Sequence, residues 1–291
     1  MEVAIRDDCL KPGSLKGLAK SLNGLGIRSF ELCINRDLST IWGESLKNEK
    51  AQKSFAKKIE DLGITICAGL INTHLANEDA KPEVQYTLDA SRILTVLGVK
   101  ILRIDVVADE PDKEAKPWQE YLHRATSTVN ICLEQTSDLP VEFAVENHGS
   151  ISNKIEFLRS LYRGVGSPRL GHTLDTGNFY WYGYPISKVY EILEELAPRT
   201  KHAHFKNINY PQELRDTPRD VGWEYDKYVS PLADGDIDLG RVTDLLKKAW
   251  FKNDLCIEDE SLGRFFPWKR KVVLKRDVEF LKAAIGHEPV V

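Results

Sequence analysis

Residues 141–178 read VEFAVENHGSISNKIEFLRSLYRGVGSPRLGHTLDTGN. Val141–Glu146 is a short apolar run ending in a carboxylate. Ser152–Tyr162 is amphipathic, and Leu170–Asp175 is a second apolar run that again ends in a carboxylate. Short apolar runs suit strands buried in a parallel sheet, and an amphipathic stretch between two of them makes a strand–helix–strand crossover. The same unit recurs outward in both directions. The other runs are Val3–Arg6, Ser29–Ile34, Thr65–Ile71, Lys100–Val106, Lys201–Lys206 and Asp254–Glu258. The other amphipathic stretches are Ser14–Leu25, Lys50–Leu62, Glu83–Leu97, Lys116–Glu134, Pro185–Leu196, Leu239–Trp250 and Lys269–Ala284. Gly26, Gly63 and Gly98 follow three of them as C-terminal stop signals. Eight strand–helix pairs predict an α/β fold, a single (β/α)8 barrel over residues 1–291. A doubly wound open sheet is the alternative that the count alone leaves standing.

Composition narrows the function classes. The 291 residues include 40 Lys+Arg and 44 Asp+Glu, a formal net charge of −4. That balance argues against a general nucleic-acid partner. No run approaches the roughly 20 apolar residues of a membrane span. The start, MEVAIRDDCL, lacks the basic and apolar blocks of a secretion signal. Cys9, Cys33, Cys67, Cys132 and Cys256 are odd in number and show no CxxC spacing. They read as reduced thiols, which predicts a cytoplasmic protein with no structural zinc site. One connection is anomalous. The stretch 207–236 is far longer than the usual 2–6 residues of a βα loop, and its Trp223, Tyr225 and Tyr228 are poor choices for disorder. Its Arg215 and Arg219 read as solvated.

Alternation places the chemistry. Successive strand side chains face opposite sides. If Phe143 and Val145 face the helices, Glu146 faces the lumen. The same parity turns Asp175, His202, His204, Lys206, Cys256, Glu258, Glu260, Arg103 and Asp105 inward, near the C-terminal strand ends where barrel enzymes keep their active sites. A barrel strand has no structural need for unpaired charge there. A structural ion network around Arg103 is the competing reading. Glu146, Asp175, His204 and Glu258 together make a hard, mostly oxygen donor set. One divalent cation suits it, Mn²⁺ first, with Mg²⁺, Co²⁺ or Zn²⁺ compatible. Without an ion the carboxylates repel one another.

At these residues the chain resembles the xylose isomerase-like barrel superfamily, which contains sugar phosphate isomerases, ketose 3-epimerases, inosose dehydratases and endonuclease IV. The matching segments are VEFAVENHG, LDTGN, HAHFKN, PLADGDIDL and CIEDES, in the family's order over nearly the whole chain. The resemblance implies metal ligation by Glu146, Asp175, His204 and Glu258. It also implies proton exchange by Glu146 and Glu258 on opposite faces of a small carbohydrate, through an enediolate. Lys206 matches the family's lysine after the HxH pair and would stabilise an enediolate oxygen. Homo-oligomers are common in such barrels. Two positions depart from the pattern: Asn178 stands where a histidine is frequent, and Asn207 where HxHxKD ends in aspartate. Related readings are a dehydratase on the same site, an endonuclease IV-like phosphodiesterase and a non-catalytic sugar-binding protein. The phosphodiesterase needs three zinc ions. Of the seven histidines, His123 and His287 fall in helical or terminal segments and His172 faces outward, which leaves His74, His148, His202 and His204, too few for that cluster.

Six further residues are candidate substrate contacts, each with a structural alternative. His148 shares the parity of Glu146 and reaches either substrate or a neighbouring loop. His202 lies one inward step below His204 and reads as a support for it. Arg103 binds an anionic group or pairs with Asp105. Glu260 faces substrate or is a satisfied loop residue, and Asn178 takes the position where relatives often carry histidine. Trp223, with Tyr225, forms a lid over a sugar ring or packs the long loop. Gly235 reads as a turn residue, and Asp236 or Asp238 as a helix cap. Cys33, Cys67 and Cys256 read as small core residues.

Overall fold

The computed structural model describes residues 1–107 and 117–286, so Lys116 and His287 lie outside the described residues. The eight apolar runs form parallel strands: β1 (Val3–Arg6), β2 (Ser29–Cys33), β3 (Thr65–Leu70), β4 (Ile101–Ile104), β5 (Glu142–Glu146), β6 (Leu170–Asp175), β7 (Thr200–Phe205) and β8 (Leu255–Ile257). β1 pairs with both β2 and β8, which closes the barrel and excludes the open sheet. Eight long helices follow the strands in turn: α1 (Leu15–Leu25), α2 (Glu49–Asp61), α3 (Lys81–Val96), α4 (Trp118–Gln135), α5 (Ile155–Val165), α6 (Ile186–Leu196), α7 (Leu239–Lys248) and α8 (Pro267–Gly286). Local chemistry sets their ends. The side chains of Ser14, Asn48 and Asp238 accept hydrogen bonds from Gly17, Ala51 and Arg241 amides, satisfying donors that the first helical turn leaves free. Asp238 is therefore the cap of α7.

The parity holds on both faces. Phe143, Val145, Leu174, Ala203, Phe205, Leu255 and Ile257 are fully buried against the helix layer. Each large aliphatic or aromatic chain contributes about 1.5–3 kcal/mol on burial. His172, on the same outward face, has its ring against Tyr162, whose hydroxyl lies 2.8 Å from His172 Nδ1. Parallel register then aligns the inward residues: Asp175 pairs with His204, and Cys256 also pairs with His204. Lys206 and Glu258 fall just past their strands, where ladder pairing ends.

The stretch 207–236 folds on itself. Asn207–Ile208 pairs antiparallel with Val229–Ser230. Trp223 stacks on Tyr228, with ring centroids 5.5 Å apart, and Tyr210 packs against both. Arg219 is not solvated. Its guanidinium lies 4.4 Å from the centroid of Tyr180 and 4.3 Å from that of Tyr210, and it donates to Tyr180 O. Arg215 pairs with Asp236 at 2.9 Å, because the buried Asp236 carboxylate needs a cation. Gly235 has φ −91°, which any residue adopts. A Cβ there would lie 2.0 Å from Asn207 Cγ, so close approach, and no turn, demands glycine. Asn207 donates to Leu232 O and Ile237 O and accepts from the Ile237 amide. An aspartate would lack both donors. No described helix is long and apolar enough to cross a membrane.

Candidate active and metal site

Four adjacent strands, β5 to β8, deliver one group each to a single point. Donor atoms of Glu146, Asp175, His204 and Glu258 all lie within 4.8 Å of one another, and all four residues are buried. His204 Nδ1 is 3.4 Å from Glu146 Oε1 and 3.3 Å from Glu258 Oε2. Asp175 Oδ1 accepts from the Gly177 and Asn178 amides at 2.9 and 2.6 Å, which fixes its carboxylate plane. Asp175 Oδ2, His204 Nδ1 and Glu258 Oε2 have no hydrogen-bond partner despite burial. Native interiors seldom leave such atoms unpaired. Three orphaned polar atoms facing one point, on an oxygen-rich donor set, fit a divalent cation.

The surrounding cations explain how the cluster survives burial. Arg103 pairs with both Glu146 and Asp105, inside the barrel. Arg6 pairs with Glu258 and, at 2.5 Å, with Asp8. Lys206 Nζ lies 2.7 Å from Glu260, 3.4 Å from Glu258 and 3.5 Å from Asp175. A Cβ on Gly177 would lie 2.6 Å from Lys206 Cγ, so that glycine clears the lysine's path. The charge states follow. Burial pushes the Glu146 carboxyl up, but Arg103 and His204 outweigh it and hold it well below the usual carboxylate range. Burial dominates at Asp175 and pushes it up to about 6, against the opposing pull of Lys206. Burial opposes the His204 cation, yet Glu31 and Glu146 raise it to about 9. Near neutral pH a proton on Nδ1 thus holds the place that a cation would take.

The expected residues fall in different places. Asn178 Nδ2 donates to Glu146 Oε1 at 3.2 Å, so this amide holds the first glutamate. His148 Nδ1 lies 2.9 Å from Asp105 Oδ1, and half of its side chain is exposed at the rim. Arg103 is committed to Glu146 and Asp105. Glu260 receives Lys206 on one oxygen and the Tyr225 hydroxyl, at 2.7 Å, on the other. Trp223 packs within the long loop, whereas its neighbour Tyr225 reaches the charged network. A cavity of ≈360 Å³ borders the cluster on the side of Arg6, Glu258 and Glu260.

Two residues escaped the reading of the strands. Glu31 on β2 lies under His204 and His202, with Oε2 2.8 Å from His204 Nε2 and Oε1 3.0 Å from His202 Nε2. The His204 Nε2–H donates to Glu31, which leaves Nδ1 aimed at the carboxylates of Glu146 and Glu258. Donors of Glu31, His202, His204 and Cys256 also lie within 4.8 Å of one another, but there the carboxylate already serves both imidazoles. Arg6 on β1 is the second. The signal for both was present: Phe30 and Leu32 flank Glu31, and Ile5 precedes Arg6, so parity turns both inward.

A family model described as xylose isomerase-like TIM barrel matches residues 19–284. Among solved structures, an IolI protein with a bound zinc atom aligns at 17% identity over 98% of this chain and 96% of its own, with a TM-score of 0.73. An L-ribulose 3-epimerase aligns at 15% identity over 98% and 95%, also at 0.73. The probable 3-DHS dehydratase from Bacillus anthracis aligns at 15% over 97% and 99%, at 0.65. At such identities the likeness establishes the fold. A search of curated protein sequences finds no match.

Proposed function

The chain belongs to the xylose isomerase-like TIM barrel family, and on that premise we propose that it is a divalent-cation-dependent isomerase or epimerase of a small carbohydrate or related keto-polyol. One observation carries the reading: four family-type ligands converge, and three of them present unpartnered buried atoms to one point. When bound, the cation supplies a Lewis acid that polarises a carbonyl and its adjacent hydroxyl. Glu258, whose Oε2 is unpartnered beside the cavity, takes the proton from carbon. Glu146, on the opposite side of His204, returns it, as the ketose 3-epimerase resemblance implies. Lys206 donates to the developing enediolate oxygen. Gly177 and Asn178 amides hold Asp175 in place, and Arg103 holds Glu146.

A second reading has its own support. Glu146 has Arg103 on one oxygen and Asn178 on the other, whereas the second oxygen of Glu258 makes no hydrogen bond and has only the looser approach of His204 and Lys206. A single free base suits removal of one proton followed by loss of a β-hydroxyl, and one structural neighbour is a probable dehydratase. Elemental analysis and incubation of keto-sugars in D₂O test both. About one Mn, Mg, Co or Zn per chain, lost in Asp175→Asn, with deuterium entering the recovered sugar, is expected for the isomerase. A product lighter by one water supports the dehydratase. No cation after reconstitution overturns both.

A further inference from the structure

Outside the barrel mouth, a cavity of ≈330 Å³ lies between α1 and α8, beside the short helix Asp7–Leu10. The volume falls within the range of small-molecule sites. Leu10, Leu25 and Leu274 give it an apolar lining. Lys11, Lys20, Arg270 and Lys271 give it four positive charges, and no acidic residue lines it. Among the described residues none of the four is ion-paired, which also holds for Lys16, Lys47, Lys100 and Lys252, so their convergence on one cavity is what sets them apart. Composition does not explain this surplus, because the chain as a whole is acidic. Arg270 is half-buried, and its Nε donates to Phe265 O at 3.0 Å, which holds the guanidinium in place. Lys11 sits at φ 44°, ψ 54°, a conformation that favours glycine. Lys11 and Arg270 also line the adjoining cavity with Asp8, Glu258, Asp259 and Glu260, so the positive potential that draws anions here rests most on Lys20 and Lys271.

We propose that this pocket binds an oxyanion, a phosphate or carboxylate, on a ligand with a short apolar body. The guanidinium and ammonium groups take the anion, and the leucines take the body. The pocket adjoins the cavity beside Glu258, sharing Cys9, Lys11 and Arg270 with it. The anion therefore belongs either to the far end of an elongated substrate or to a separate ligand. The inference needs no bound cation and stands apart from the reading of the metal site.

Calorimetric titration of the full chain with phenyl phosphate and with inorganic phosphate tests it. One saturable site per chain is expected, tighter for phenyl phosphate and weakened by salt. Lys20→Ser with Lys271→Ser should weaken binding about tenfold or more. Lys16→Ser with Lys275→Ser, on the same two helices but outside the pocket, should bind as the parent does. Asp175→Asn separates the two sites: binding that survives there supports the pocket, and binding that disappears moves the anion to the metal cluster and overturns it. Absence of saturable binding, or equal loss in both lysine pairs, also overturns it. With turnover established, competitive inhibition by phenyl phosphate identifies the substrate's far end. Simultaneous binding identifies a separate ligand.

Discussion

Glu146 and Glu258 flank His204 at nearly the same distance, yet the barrel holds them differently. On the β4–β5 flank, Arg103 is buried and also donates to Asp105 and Ile71 O, and Asn178 occupies the second oxygen of Glu146. On the β8–β1 flank, the clamp is Arg6, partly exposed and shared with Asp8, and Glu258 Oε2 makes no hydrogen bond, with His204 Nδ1 and Lys206 Nζ only 3.3 and 3.4 Å away. Both glutamates have a guanidinium on one oxygen. The difference lies in what the other oxygen does. One flank has hydrogen bonds on both carboxylate oxygens, and the other has them on one oxygen and borders a cavity.

The sharpest break of this contrast is Glu258→Gln. It should lower solvent-deuterium exchange about 10³-fold while leaving thermal stability close to the parent's, because Arg6 retains Asp8 and water. Deuterium incorporation by mass spectrometry and a melting curve read the two effects; wild-type exchange would end the role given to Glu258. Arg103→Gln attacks the other flank. It strands Glu146 and Asp105 without their cation, which should cost about 3–5 kcal/mol, seen in urea unfolding. Arg6→Gln should cost markedly less, and equal losses would erase the distinction between the flanks. Glu31→Gln touches neither glutamate. It removes the anion beneath His204 and should weaken cation binding about 10–100-fold at unchanged stoichiometry, measured by titration calorimetry.

The smallest effect lies behind Glu258. Burial, and then the neighbouring Asp259, raise Asp277 on α8 to about 8. An unfolded aspartate titrates near 4. Between those values the folded chain holds a proton that the unfolded chain has released, so stability falls as pH rises through the window. Asp277→Asn keeps an acceptor for the Leu232 amide and removes the titration. The parent's melting temperature should drop by a few degrees between about pH 6 and pH 9, and the variant's should not follow it.

Much of this was legible in the sequence because it rests on local periodicity. Strand parity alone turns Glu146, Asp175, His204, Lys206 and Glu258 toward the lumen, and strand order makes four of the hosts neighbours. The same rule reaches Glu31 and Arg6, which lie in the two shortest-looking N-terminal runs and carry no family segment. Other features depend on distant partners that periodicity does not encode. Asn207 looks like a departure from a pattern until Leu232 O and Ile237 O are seen to need its two donors. Arg219 looks solvated until Tyr180 and Tyr210 close on it. Whether a candidate oxygen is free or taken, as between Glu258 and Glu146, is likewise a fact of three-dimensional pairing.

The bridge from Arg6 to Glu258 joins residues 252 positions apart. A growing chain makes Arg6 252 residues before it makes Glu258. Until then Arg6 has no carboxylate across the seam, and the fourth member of the cluster does not exist. Contacts so remote along the chain form late, because loop closure must be met before they contribute. The four-residue cluster is therefore completed in one step, when the first and last strands of the barrel meet.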